Sequence, residues 1–225
     1  LIDSEIVFIC VPTPVGPDNS CDTSIVESCV KQIKEINYKG VICIKSTVEP
    51  GTTSRLSKKY DLNLCFVPEF LRERCAYIDF VDNHDLLAIG SLDERSQRAI
   101  IKAHGKLPKN IKILKPSEAE LLKYFSNSYN AMKVIFANNF FELANSLESD
   151  YKAILDAYLV RKSNPSDYLK VDDDLRGYGG VCLPKDVKAL IALAEKLNID
   201  LKLFESIDSD NDKLKITVFE GMRKE

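Results

Sequence analysis

The sequence is poor in the residues that carry metal and nucleic-acid chemistry, and each shortage closes off a class of function. Two histidines occur among 225 residues, His84 and His104, too isolated along the chain to supply a set of metal ligands. Seven cysteines are present (Cys10, Cys21, Cys29, Cys43, Cys65, Cys75 and Cys182). Their odd number, irregular spacing and lack of any C-x-x-C pair argue against a disulfide framework and a zinc site, so no metal is expected. The formal net charge of −3 provides no basic field, which argues against a nucleic-acid partner. No apolar run approaches the roughly 18 residues of a membrane span, and no secretory signal is legible near Leu1. A reducing, cytoplasmic setting fits this composition. The strand, G-x-G-x-x-G, helix element that normally opens a dinucleotide fold is also missing from these residues.

What is present is an ordinary globular composition, 45% hydrophobic and 29% charged, enough for one large or two small domains. In residues 1–115 short continuous apolar runs alternate with helical patterns. The runs are Ile6–Val11, Val41–Ile44, Leu64–Val67 and Leu86–Ile89, with a possible edge strand at Ile111–Leu114. Helical spacing is read over 23–36, 51–56 and 94–104. Runs of this kind are strands buried on both faces, so an α/β fold with a partial, Rossmann-like parallel sheet is expected. Ligands bind such sheets beyond the carboxyl ends of the strands. Thr13, Thr47 and Glu69 fall just past three strand ends, where one crevice would collect them.

From Pro116 the pattern becomes helical, and residues 116–210 read as an all-helical domain followed by a tail at 211–225, with the charged stretch beginning at Asp208. Ser117-x-x-Glu120 has the form of a capping box. Beyond it Leu122, Phe125, Tyr129, Met132, Phe136, Phe140 and Leu143 recur every three or four residues, predicting one long helix. Its apolar stripe suits either the core of one subunit or a dimer contact. Lys123 and Asn127 lie one turn apart on it. Residues 185–198 predict another helix. Before it stands Gly177-Tyr178-Gly179-Gly180-Val181-Cys182-Leu183-Pro184-Lys185-Asp186. Its glycines allow positive φ and close approach of a ligand. Lys185 and a helix starting near Asp186 would favour the thiolate of Cys182, the reactive form.

Five of these pieces together resemble the UDP-glucose/GDP-mannose dehydrogenase family. They are Val11-Pro12-Thr13-Pro14, Lys45-Ser46-Thr47-Val48, Pro68-Glu69-Phe70-Leu71-Arg72-Glu73, Lys123-Tyr124-Phe125-Ser126-Asn127 and Gly177 to Asp186, in the family's order across about residues 1–205. The resemblance implies NAD as cofactor and a nucleotide sugar, UDP-glucose foremost, as substrate. It also implies four-electron oxidation of the sugar C6 alcohol to a carboxylate, and a homodimer formed through the long helix. The chain would supply the second half of the NAD-binding domain and the central domain.

By the same resemblance Cys182 is the nucleophile, Lys123 and Asn127 steady a developing oxyanion, and Glu69 is the general acid/base. Thr47 and Asp186 hold a water. Thr13, Thr47, Glu73 and Lys185 approach NAD. The sugar nucleotide meets Glu69, Phe70, Leu71, Arg72, Glu73, Lys123, Asn127, Tyr168, Leu169 and Gly179. The sequence departs from the family at Asn138-Asn139, where Asn-Glu is common, at the acidic stretch 168–176, and at Asp82-Asn83-His84-Asp85. Two other readings are a folded, dimerising fragment without turnover, which a start at Leu1 would suit, and a 2-hydroxyacid or decarboxylating dehydrogenase, which leaves Cys182 without a role.

Overall fold

The computed structural model describes residues 2–72, 75–161, 168–180 and 182–214. The chain divides into two compact units, Leu1–Phe125 and Ser126–Glu225.

In the first unit five strands lie side by side in chain order: β1 (Ile6–Ile9), β2 (Val41–Ile44), β3 (Leu64–Phe66), β4 (Leu86–Gly90) and β5 (Asn110–Leu114). β1 pairs with β2, β2 with β3 and β4 with β5 in parallel, as the buried apolar runs predict. The β3–β4 pairing is antiparallel, with Phe66 opposite Gly90. Among the described residues between these two strands lies the short helix α3 (Ala76–Val81), which the sequence reading did not foresee.

The runs are continuous because both faces of the sheet are covered. On one face Ile42, Ile44, Leu64 and Phe66 pack with Val26, Val30 and Ile33 of α1 (Ser24–Glu35) and Leu56 of α2 (Thr52–Tyr60). On the other, Val41, Cys43, Cys65 and Val67 pack with Leu87, Ile89 and Ile100, the last from α4 (Glu94–His104). Alternate residues of one strand thus feed two cores. His84 and His104, distant in sequence, are neighbours here, with ring centroids 5.9 Å apart and Phe80 beside both. His104 Nδ1 donates to the Ile100 carbonyl at 2.8 Å, and burial holds its imidazole below the ordinary value. Among the described residues no group of His, Cys, Asp and Glu could hold a metal.

The long helix α5 runs from Pro116 to Ser146. Its start rests on β4: a Cβ on Gly90 would come within 2.8 Å of Ala119 Cβ and 3.0 Å of Pro116 Cα, so only glycine admits this approach. The capping box read at Ser117 and Glu120 is not the one formed. Glu118 reaches back to the Lys115 backbone N–H at 2.8 Å, one register earlier, because Pro116 sits at the first helical position. Glu120 is instead fully buried and accepts from Gly51 N at 2.5 Å and Thr53 N at 2.8 Å. The N-cap of α2 is Gly51, with φ 99° and no side chain to accept a bond. Glu120 caps that helix from a distance of 69 residues in sequence.

The second unit holds the rest of α5 with α6 (Tyr151–Leu159), α7 (Leu183–Lys196) and α8 (Lys202–Lys213). α5 buries a narrow face of Ala131, Ile135, Ala137, Phe141 and Ala144 against Tyr151, Leu169, Tyr178, Val187 and Ile207. The aromatic stripe faces outward: Phe125 is 70% exposed, Phe136 56%, Phe140 45% and Leu143 53%. Among the described residues, five of the seven stripe positions, Tyr129 included, are thus exposed, while Met132 packs against the core. α8 carries the chain in helical form through residues 208–213, read from sequence as a charged tail. Ile207 and Asn211 are buried on its inner side while its charges occupy the outer one. Among the described residues no helix is long and apolar enough to cross a membrane.

Candidate functional site

Two clusters of polar side chains stand out, one in each unit. In the first unit the chain leaves β3 through Val67 and Pro68, and Glu69 follows. Its carboxylate pairs with Lys45 Nζ at 3.2 Å, and its own Oε1 accepts from the Phe70 N–H at 2.9 Å. The Glu69 carbonyl accepts from Lys123 Nζ at 2.5 Å, and that ammonium lies 5.7 Å from the Phe70 ring centroid. Lys123 is only 9% exposed, so its bond to the carbonyl compensates part of the water it loses on burial. Beyond β2, Ser46 accepts from Val11 N and donates to Val11 O, both at 2.7 Å, tying the segment before Thr13 to the segment before Thr47. Thr13 is buried and Thr47 half-buried. Arg72 is turned to Asp79, with Nε–Oδ2 2.9 Å and Nη2–Oδ1 2.7 Å. The Arg72 hydrogen bonds hold that carboxyl at about 2, far below its ordinary value. Leu71 is half-buried beside it, and Glu73 lies outside the described residues.

In the second unit Cys182 occupies the N-cap of α7, its carbonyl accepting from the Asp186 N–H at 3.0 Å. The thiol is exposed. Pro184 in the first turn suits a position that needs no N–H donor. Asp186 is 1% exposed. Its Oδ2 accepts from Asn127 Nδ2 at 2.5 Å, which leaves the second N–H of that amide for another acceptor. Lys185 Nζ lies 2.7 Å from Asp186 Oδ1 as an ion pair. The approach lacks hydrogen-bond geometry, so both buried atoms have no hydrogen-bond partner among the described residues. An ammonium so placed fits an anionic or carbonyl oxygen of a bound molecule.

Gly179 is half-buried in the loop ahead of Cys182. The Tyr168 ring lies 5.0 Å from Lys133 Nζ, and the Leu169 carbonyl accepts from Tyr151 Oη at 2.8 Å. Four side chains that hold these clusters escaped the sequence reading: Lys45, Glu120, Asn138 and Asn211. Lys45 was legible as the charge that ends β2, and Glu120 as the residue one turn before Lys123. Asn138 and Asn211 carried no local signal.

Residues 1–107 match the profile of the UDP-glucose/GDP-mannose dehydrogenase family, NAD binding domain, and residues 117–213 match the central domain of the same family. The chain is 32% identical to a UDP-glucose 6-dehydrogenase of Rickettsia bellii, over 94% of this chain and 50% of that protein. It is 30% identical to a GDP-mannose 6-dehydrogenase of Pseudomonas aeruginosa, over 94% of this chain and 51% of that protein. The solved UDP-glucose dehydrogenase of the hyperthermophilic archaeon Pyrobaculum islandicum superposes with a TM-score of 0.85 at 31% identity, covering 93% of this chain and 50% of that one. The chain thus spans about half the length of these relatives. NAD is the cofactor of the matched first domain. Within the first unit the hydroxyls of Thr13 and Thr47 are donors compatible with it.

Proposed function

This chain belongs to the UDP-glucose/GDP-mannose dehydrogenase family, and from that premise we propose that the whole protein oxidises the C6 alcohol of a nucleotide sugar, UDP-glucose foremost, to the carboxylate. The observation that carries the reading is an exposed thiol at the N-cap of α7, four residues before a buried Asp186 that Asn127 engages. Bound NAD would supply hydride acceptance, once per two-electron step, with Thr13, Thr47, Glu73 and Lys185 as its holders.

Cys182 Sγ adds to the C6 aldehyde carbon to give a thiohemiacetal, and oxidation of that adduct leaves a thioester. Water then cleaves the C–S bond, releasing the acid and restoring the thiol. The oxyanion formed at each addition calls for positioned donors. Lys123 and Asn127, four residues apart on α5, supply an ammonium and an amide N–H. Glu69 exchanges the proton of the entering water, its carboxylate kept close by Lys45. Asp186 and Thr47 orient that water. The sugar nucleotide is held by Glu69, Phe70, Leu71, Arg72, Glu73, Tyr168, Leu169 and Gly179 in addition to Lys123 and Asn127. Two NADH are expected per acid formed, measured as absorbance at 340 nm against acid by mass spectrometry. One NADH per sugar, with an aldehyde or ketone as product, would contradict this assignment.

The protein is proposed to be a homodimer through α5. Phe136 and Phe140 support it, since they present adjacent rings with centroids 4.7 Å apart on a face exposed among the described residues. Phe136→Asp should weaken the dimer by at least about a hundredfold, a desolvated charge costing several kcal/mol. Sedimentation of the variant as a wild-type dimer would move the interface elsewhere.

A further inference from the structure

We infer that Asn138 on α5 and Asn211 on α8 are positioning residues for the reaction, acting through the Arg176 side chain and the Gly177 and Tyr178 backbone on the loop that leads to Cys182. The inference rests on the reading of Cys182 as nucleophile.

Three glycines in four residues make this loop costly to order, and Gly177 and Gly180 sit at φ 63° and 78°. Two buried carboxamides hold it. Asn138, 1% exposed, accepts from Arg176 Nε at 2.8 Å and Gly177 N at 3.3 Å, while its Nδ2 donates to the Val134 carbonyl one turn back. Asn211, 3% exposed, accepts from Tyr178 N at 2.8 Å and donates to Tyr178 O at 3.0 Å, pairing with that residue as a strand neighbour would. Arg176 is fixed further by the Phe141 ring, 4.8 Å from its guanidinium carbon, and by the Glu142 carboxylate.

Three successive residues are therefore held from two helices. The Tyr178 ring is packed in the same apolar cluster as Val187 of α7, so the chain is anchored on both sides of Cys182. A thiol that must meet a carbon at bonding distance gains from such placement, because a shift of about 1 Å can cost a hundredfold in rate. Arg176 stands in the acidic stretch where this sequence leaves the family pattern, and Asn138 accepts from it directly.

The test uses the whole protein, with turnover kinetics and hydrogen–deuterium exchange of the 177–180 amides. Asn138→Ala and Asn211→Ala should speed that exchange and lower kcat about 10- to 100-fold, with a smaller change in the KM for nucleotide sugar. Asn138→Asp loses the donation to the Val134 carbonyl but keeps the acceptor for Gly177 and sets a charge against the Arg176 guanidinium, and should return kcat to within about threefold of wild type. Asn211→Asp keeps the acceptor for Tyr178 N but sets an oxygen against the Tyr178 carbonyl, and should stay slow. A packing role alone would not produce that asymmetry. Wild-type kcat in both alanine variants, unchanged exchange, or an Asn138→Asp protein as slow as Asn138→Ala would each overturn the inference. If Asn211→Ala does not fold, the Asn138 pair decides. Full turnover by a Cys182→Ser protein would instead remove the nucleophile reading, and the exchange data would still report on the clamp.

Discussion

Replacing Cys182 with serine in the whole protein is expected to cut acid formation by roughly a thousandfold or more, since single members of a covalent machinery are worth that much. The first two-electron step needs no thiol, so aldehyde-level oxidation should persist while the second step fails. Cys182 is set apart from the other cysteines by its surroundings. Cys21, Cys43 and Cys65 are buried, and burial pushes the Cys43 thiol well up. Cys10 is exposed, but desolvation around its sulfur raises it despite nearby Lys45. Cys75 is half-buried at the N-cap of the six-residue α3, whereas the exposed Cys182 stands at the N-cap of the 14-residue α7, followed by Lys185 and Asp186. Acid-quenched wild-type protein should carry a nucleotide-sugar adduct on the Cys182 peptide, and the serine variant should not. Acid formation by the variant within tenfold of wild type would end the assignment.

Glu120→Ala should destabilise the first unit by about 3 kcal/mol, because it strips two backbone N–H groups of a buried carboxylate acceptor and leaves α2 without its cap. Glu120→Gln, which keeps one acceptor oxygen, should cost about half as much. Desolvation raises the Glu120 carboxyl, with the bonds from Thr53 and Gly51 pulling the other way. A raised folded-state value means the group's contribution is full below its unfolded value and declines as pH rises through the folded one. The gap between wild type and the glutamine variant should therefore narrow with rising pH. Urea unfolding at several pH values measures both effects. An alanine variant with the wild-type midpoint would show that the cap contributes nothing. Glu120 precedes Lys123 by one turn of α5, so a lower kcat is expected to accompany the loss of stability.

The sequence by itself determined which family the chain belongs to and which segments are buried strands. Val41-Ile42-Cys43-Ile44 and Leu64-Cys65-Phe66 read as two-faced strands because every residue in them is apolar, and both faces are covered. Thr13, Thr47 and Glu69 fall beyond strand ends because polar residues cannot continue a run buried on both sides. The glycine loop was legible because glycine is the residue that tolerates φ 63° and 78° without cost. These are local properties, and local properties survive in a one-dimensional reading.

What the tertiary structure decided is which partner each buried polar group finds. Glu120 looked like half of a capping box for its own helix, yet it serves another helix 69 residues away. The α5 stripe looked equally suited to a core, yet the alanines and Phe141 on the opposite side take that place. Charges at 208–213 suggested a tail, and the inward Ile207 and Asn211 make it a packed helix. The reversal of β4 against β3 follows from a connection with too short a helix to cross over, which apolar content alone does not register. Asn138 and Asn211 are polar residues without pattern in the sequence. Only folding sets their carboxamides against Gly177 and Tyr178, where leaving those backbone groups buried and unpaired would cost more than ordering the loop.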